Sequence, residues 1–200
     1  MNAKTFSFLS STLFTWVYSM FQTISRDDYR VLHPRPVYLI VSGGEGKYNV
    51  MAASWVTPLS EEPSRLGLAI DRESYTYELI HKYREFTVNV VEPSLVNKVW
   101  YAGTRSGRRE DKIKSLELKL YPSSKISVPG LLEALAFIEC RVVDEVHVGE
   151  VALFIADMVE IHVKPEYYDQ RRGWNLRKAQ VLMHISGKAF SYPARIIYAK

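Results

Sequence analysis

Asn49-Val50-Met51-Ala52-Ala53-Ser54-Trp55-Val56-Thr57 (NVMAASWVT) is the stretch on which the reading of this chain turns. Its valines, tryptophan and threonine favour a strand. It leaves a turn marked by Gly43, Gly44 and Gly46, so it predicts the return arm of a hairpin. The partner is the segment 36–42 (PVYLIVS), apolar and β-branched, which predicts a buried strand. Two alanines and a serine occupy mid-strand positions where larger side chains pack better. Two readings fit them. The inside of a small barrel is tight there, or a flat ring lies against the backbone and takes hydrogen bonds at its polar edge.

Outward from this hairpin, strand signals dominate. Segment 65–70 (RLGLAI) predicts a third strand, with Pro58 and Pro63 bracketing a polar loop before it. Segment 76–83 (TYELIHKY) has helical spacing, with Leu79, Ile80 and Tyr83 on one side. Segment 85–91 alternates as a strand does. Ser94 is placed to cap a helix through Leu95, Val96, Val99 and Trp100, with Gly103 as its stop and a polar loop at 104–111. Further strands are predicted within 131–144 and 149–163, a loop at 167–178, and a final strand with a Gly187 turn at 181–192. Frequent turns and short helices predict a mostly β fold, a closed or nearly closed barrel with flanking helices.

Composition narrows the chemistry. With 47% hydrophobic and 24% charged residues over 200 positions, the chain reads as one globular domain with an appendage rather than a disordered tail. The one cysteine, Cys140, leaves no intramolecular disulfide framework and no cysteine-based zinc site, and fits a cytoplasmic protein. The net charge of +4 suits an anionic ligand such as a phosphate, but is too small and scattered to argue for nucleic acid. Five histidines stand far apart and none belongs to an HExxH pair. The run GGEGKY at 43–48 lacks the P-loop pattern. No GxGxxG follows a strand, and Ser54 has no GxSxG context.

Two segments point to an anion. Ser74, Tyr75 and Thr76 precede a short helix, where hydroxyls and unpaired N–H groups can hold a phosphate, with Arg72 near in sequence; an ordinary helix cap reads the same way. In RSGRREDK (105–112), Ser106 and Gly107 offer backbone N–H groups and Lys112 or an arginine offers charge, although a solvated loop has the same composition. With the small residues of 49–55, these segments describe one ligand: a flat heterocycle with a phosphate tail.

Segment 5–25 carries no charge and is fairly apolar, but serines and threonines interrupt it repeatedly. Three readings stand: a helix packed on the domain or a partner subunit, an over-extended start with Met20 as the initiator, or a membrane contact. The expected division is an N-terminal extension, 1–30, and a barrel domain, 31–200.

The order of these pieces resembles the flavin reductase-like family, the FMN-binding split barrels, nearest its flavoredoxin-like and archaeal-type members. The matching residues are HPRPV from His33, NVMAASWVTPLS from Asn49, SYTYELI from Ser74, EFTVNV from Glu85, SGRREDK from Ser106, IECRVVDEV from Ile138 and KAQVLMHISGKAF from Lys178. The resemblance implies a Greek-key split barrel and a non-covalent FMN near the interface of a homodimer. It implies an isoalloxazine against Asn49, Met51, Ala52, Ala53, Ser54 and Trp55. The phosphate would lie near Arg72, Ser74, Tyr75 and Thr76, with Ser106, Gly107 and Lys112 completing the pocket. It further implies an oxidoreductase, a flavin or ferric reductase with NAD(P)H as donor. Gly149-Glu150-Val151 stands where many relatives carry Gly-Asp-His, so two other functions stay open. One is an FMN electron-transfer protein, with a redox partner protein, that does not itself oxidise NAD(P)H. The other is a barrel that has lost its flavin.

Overall fold

The computed structural model describes residues 21–199. The apolar stretch before residue 21, and with it the readings of the extension and of Met20, lies outside the described residues. Residues 21–32, taken by themselves, contain one 3-10 turn, Tyr29–Leu32, with no buried side chain.

The remainder is built on the hairpin expected from the sequence. Strand β1 is Arg35–Pro36, β2 is Tyr38–Gly44 and β3 is Lys47–Ala53. In the turn between β2 and β3, Gly43 has a φ of +132°, and a Cβ there would sit 2.2 Å from the Lys47 carbonyl oxygen, so glycine is required. Strand β4 is Val56–Ser60 and β5 is Arg65–Asp71, followed by helix α1, Tyr75–Tyr83, and strand β6, Glu85–Val90. Helix α2 is Val96–Thr104 and the single-turn α3 is Lys112–Ser115. Short strands β7 (Leu120–Tyr121) and β8 (Gly130–Leu131) lead to the long pair β9 (Ala136–Val148) and β10 (Val151–Val163). The chain ends through β11 (Tyr168–Asp169), β12 (Gly173–Trp174), β13 (Met183–Ser186) and β14 (Ala189–Ser191).

Seven strands form one antiparallel sheet in the order β3-β2-β6-β9-β10-β5-β4. The period-2 alternation of β2 explains why its sequence is apolar throughout: Leu39 and Val41 face one core with Val50, Val99 and Ala102, while Ile40 faces a second core with Phe86, Leu68 and Phe154. Burying each of the largest of these side chains contributes about 1.5–3 kcal/mol. Asn89, carried into this interior, is paired at both ends of its amide. Asn89 Nδ2 donates to the Leu39 carbonyl and Asn89 Oδ1 accepts from Leu131 N–H.

Four local expectations differ from the structure. The sheet is open in its pairing order, and no described pairing joins β4 back to β3 into a closed barrel. Segment 49–57 is not one strand. It breaks at Ser54–Trp55, and Val56 restarts in β4, which pairs with β5 instead of β2. Pro58 therefore lies in a strand, tolerated because β4 is at the sheet edge. Helix α2 is not capped by Ser94, whose hydroxyl donates to Glu92 Oε1. A 3-10 turn, Pro93–Leu95, leads into it, and it runs through Gly103 to Thr104.

Candidate functional site

Strand β3, the start of α1 and the loop from α2 to α3 enclose a cavity of about 380 Å³. From the residues expected to hold a ligand it gathers Asn49 and Met51 of β3, Ser74, Tyr75 and Thr76 at the start of α1, and Ser106, Gly107 and Lys112 of the loop. Three stretches separated by some 20 to 60 positions in sequence thus line one space.

The donors in this space follow from local rules. Ser74 is the N-cap of α1, its hydroxyl accepting from Tyr77 N–H at 3.1 Å. The amides of Tyr75 and Thr76, at the first two helical positions, have no carbonyl of the helix to reach and remain as donors at its positive end. Thr76 Oγ1 accepts from Asn49 Nδ2 at 3.0 Å, which leaves the threonine proton available. The other amide atom of Asn49, Oδ1, is buried without a partner. It lies beneath Gly107, where a Cβ would come within 2.1 Å of it. Glycine at 107 therefore lets the loop backbone close down on β3, a cradle that any side chain would fill.

Lys112 supplies the buried charge. It is only 3% exposed, and its Nζ donates to the carbonyls of Ala102 (2.9 Å) and Arg105 (3.1 Å) at the end of α2. Burial pushes its ammonium down to about 8, partly offset by the Glu110 carboxylate. An anion in the cavity would relieve that cost. The loop itself is pinned on several sides. Arg108 donates to Glu78 of α1 at 2.6 Å, Tyr101 of α2 donates to Glu110 at 2.6 Å, and Asp111 caps α3 through Lys114 N–H.

A second cavity, about 190 Å³, adjoins the first and shares Gly103 and Thr104 with it. Ala52 and Ala53 line it from β3, Ser54 from the break that follows, Trp100 from α2, and His184 and Phe190 from β13 and β14. The small residues here serve two ends. A Cβ on Gly103 would be 3.2 Å from Ala52 Cβ, so Ala52 permits the close approach of α2 and also opens the cavity. His184 Nε2 donates to the Gly187 carbonyl, 3.1 Å away, and its ring sits 5.1 Å from that of Phe190. A carbonyl can only accept, so Nε2 carries the proton and Nδ1 remains an acceptor when the imidazole is neutral.

Two of the expected residues line neither cavity. Arg72 is exposed, its backbone N–H held by the Glu150 carbonyl. Trp55 sits in the break between β3 and β4, its carbonyl accepting from Ala69 N–H. In their place the structure brings in Arg105 and Arg108 at the phosphate-like end, and Trp100, His184 and Phe190 at the flat end. The two arginines belong to the same RSGRREDK run as Ser106 and Lys112 and were legible there as charge. His184 and Phe190 come from 130 or so positions beyond β3 and carry no local signal. Among the described residues no group of His, Cys, Asp and Glu side chains is arranged to hold a metal ion, and no helix is long and apolar enough to cross a membrane.

Comparison with known proteins bears on the family and the fold. An uncharacterised protein of Pyrococcus abyssi is 40% identical over 164 residues, 82% of this chain and 93% of that protein. A ferric-chelate reductase (NAD(P)H) of Archaeoglobus fulgidus is 26% identical over 128 residues, 64% of this chain and 75% of its own length. Among solved structures, flavoredoxin of Desulfovibrio vulgaris superposes with a TM-score of 0.79 at 20% identity, covering 89% of this chain and 97% of that one. An FMN-binding protein from Thermus thermophilus gives 0.79 at 22% identity, covering 90% and 98%. The family model for the flavin reductase like domain matches residues 30–189, and the chain belongs to that family.

Proposed function

We propose that this protein binds FMN and passes electrons through it as an oxidoreductase, most simply as an NAD(P)H-dependent flavin or ferric reductase. One observation carries the reading: Asn49, Ser74, Thr76, Ser106, Gly107 and Lys112 converge on a single cavity that runs on to the flat, small-residue face of β3. The residues fit the cofactor. Amides at the start of α1, the Thr76 hydroxyl and the buried Lys112 ammonium match a phosphate, and the cradle under Gly107 matches the tail that joins phosphate to ring. Ala52, Ala53 and Ser54, facing Trp100, give a planar ring room to lie.

FMN, when bound, supplies the hydride and electron chemistry. The protein supplies position and polarity. Ser74 and Lys112 fix the anionic end, the backbone of β3 meets the polar edge of the ring, and Trp100 and Phe190 keep water from its face. The ferric-chelate reductase among the relatives and the FMN-binding neighbour support this assignment. A homodimer acting in the cytoplasm, with the ring near the subunit contact, completes the proposal. Its test is spectroscopic: protein reconstituted with FMN should hold the flavin through desalting, and mixing with NADH or NADPH should bleach its visible band.

One observation favours the second reading, an FMN electron carrier that does not itself oxidise NAD(P)H. Val151, where the family resemblance implies a histidine in many members, pairs across the sheet with Asp71, a residue of the phosphate-side cavity. No imidazole is offered there. A flavin that stays oxidised under excess nicotinamide but accepts electrons from dithionite would favour this reading.

A further inference from the structure

Phe137 of β9 and His162 of β10 are cross-strand partners, and their rings stack 4.2 Å apart at 12°. Strand β8 fixes the phenyl ring: a Cβ on Gly130 would sit 2.5 Å from it, so bare backbone is what lets β8 close on Phe137. The imidazole is fixed from behind. Its Nε2 lies 2.6 Å from Oε1 of Glu139, which is fully buried and also accepts from the amides of Ser124, Lys125 and Ile126 and from the Ser124 hydroxyl. Burial pushes the Glu139 carboxyl up, but the bonds from Ser124, His162 and Lys125 outweigh it and bring it below its ordinary value. A carboxylate only accepts, so Nε2 carries the proton, and Nδ1 is the nitrogen of His162 left for another partner.

This pair borders a cavity of about 510 Å³, within the size range of small-molecule sites. Leu131 and Leu135, both buried, give it an apolar floor beside Phe137, whereas Leu132, Ile161 and Val163 are exposed at its rim. Lys164 is its charged lining residue and forms no ion pair with the described residues; no acid lines it among them. None of its lining residues lines either of the two cavities beside β3. A wholly apolar occupant would cover Lys164 and Nδ1 without giving either a partner, and a cation would meet the ammonium. The complementary occupant is an apolar body that carries one anionic oxygen group. We propose that this cavity is a second small-molecule site, separate from the flavin site, that takes an aromatic carboxylate. Its ring lies against Phe137, Leu131 and Leu135, and its carboxylate bridges His162 Nδ1 and Lys164 Nζ.

The test is isothermal titration of the full chain with cinnamate and with cinnamyl alcohol, its neutral analogue, each with and without FMN. Cinnamate should bind one per chain with a Kd below about 1 mM and at least about fivefold tighter than the alcohol, and FMN should leave that affinity within about twofold. Lys164→Gln should cost the acid about threefold or more and the alcohol less than about twofold. Ile161→Asp, at an exposed rim position, should weaken both and the acid more. No binding of cinnamate, equal affinity for acid and alcohol, unchanged affinity in Lys164→Gln, or displacement of cinnamate by FMN overturns the proposal. So does a cinnamate affinity that falls as protein concentration rises, which would mean that a second copy of the chain covers the cavity. None of these outcomes depends on whether the cavities beside β3 hold a flavin.

Discussion

Asn49 Nδ2 donates to Thr76 Oγ1 at 3.0 Å, and both side chains are buried. The bond ties the strand that carries the flat face of the site to the helix that carries its anion donors. It also turns the asparagine so that its remaining amide atom lies under Gly107, which seats the third element of the site. The geometry of all three segments therefore depends on one pair of side chains 27 positions apart.

Thr76→Val keeps the shape and removes the oxygen. The Asn49 amide then has no partner at either end, a loss of about 1–3 kcal/mol for a buried polar group. Denaturant unfolding should show that loss. FMN affinity should fall roughly tenfold, with riboflavin affinity less affected because it carries no phosphate. Thr76→Ser should restore most of both.

Gly107→Ala probes the cradle. The added carbon meets Asn49 Oδ1 at 2.1 Å and Tyr75 Cδ1 at 2.9 Å, so the loop must move off β3. The loop is exposed, and the cost to stability should stay near the 1–3 kcal/mol of an overpacked site. Flavin affinity, read by calorimetry, should drop at least tenfold. Retained affinity would mean that the loop does not close on the ligand.

Lys112 gives a pH signature. Burial lowers its ammonium from the ordinary 10.5 to about 8. Below pH 8 both folded and unfolded chains hold the proton, and the fold carries the full cost of burying the charge. As pH rises from about 8 to 10.5 the fold has released a proton that the unfolded chain still binds, so this residue's contribution to stability rises through that window. A bound phosphate favours the charged form. FMN affinity should therefore weaken as pH passes 8, while riboflavin affinity stays level. Parallel titrations of the two flavins at about pH 7 and about pH 9.5 check it.

Glu145 gives the opposite sign at acid pH. Burial pushes its carboxyl up, but hydrogen bonds from His147, His81 and Tyr77 outweigh burial and bring it down to about 2, from an ordinary 4.5. Its stabilisation is fully present above pH 4.5 and is lost as pH falls toward 2. Tyr77 and His81 belong to α1 and Arg84 caps its end, so this carboxylate anchors the helix behind the anion site. Glu145→Gln should lower the melting temperature at neutral pH and flatten its acid dependence between pH 4.5 and 2, as scanning calorimetry would show.

Much of this site was legible in the sequence because its chemistry is local. Ser74 before a helical period, glycine beside Ser106, and alanines inside a strand each state a backbone requirement that neighbouring residues reveal. What was not legible depends on distance or on a break. His184 and Phe190 reach the flat cavity only because the last hairpin packs beside β1, which no spacing encodes. Arg72 was placed by closeness in sequence to Ser74, and Trp55 by the resemblance of the 49–57 stretch. The chain turns at both points, and neither residue lines the two cavities. The open order of the sheet has the same origin: where segment 49–57 breaks and changes partner is set by the pairing of Val56 with Leu68, a long-range choice.

The most direct measurement of the central claim is flavin titration of the unaltered full chain and of Lys112→Met, with FMN and riboflavin compared in each. Lys112→Met removes the ammonium while keeping a buried side chain of similar length. The unaltered protein should bind FMN in the micromolar range or tighter and at least tenfold better than riboflavin. The variant should lose about 1.5–3 kcal/mol for FMN, the worth of a charge-assisted hydrogen bond, and far less for riboflavin. No retention of FMN by the folded protein, or equal affinity for the two flavins in both proteins, would contradict the account.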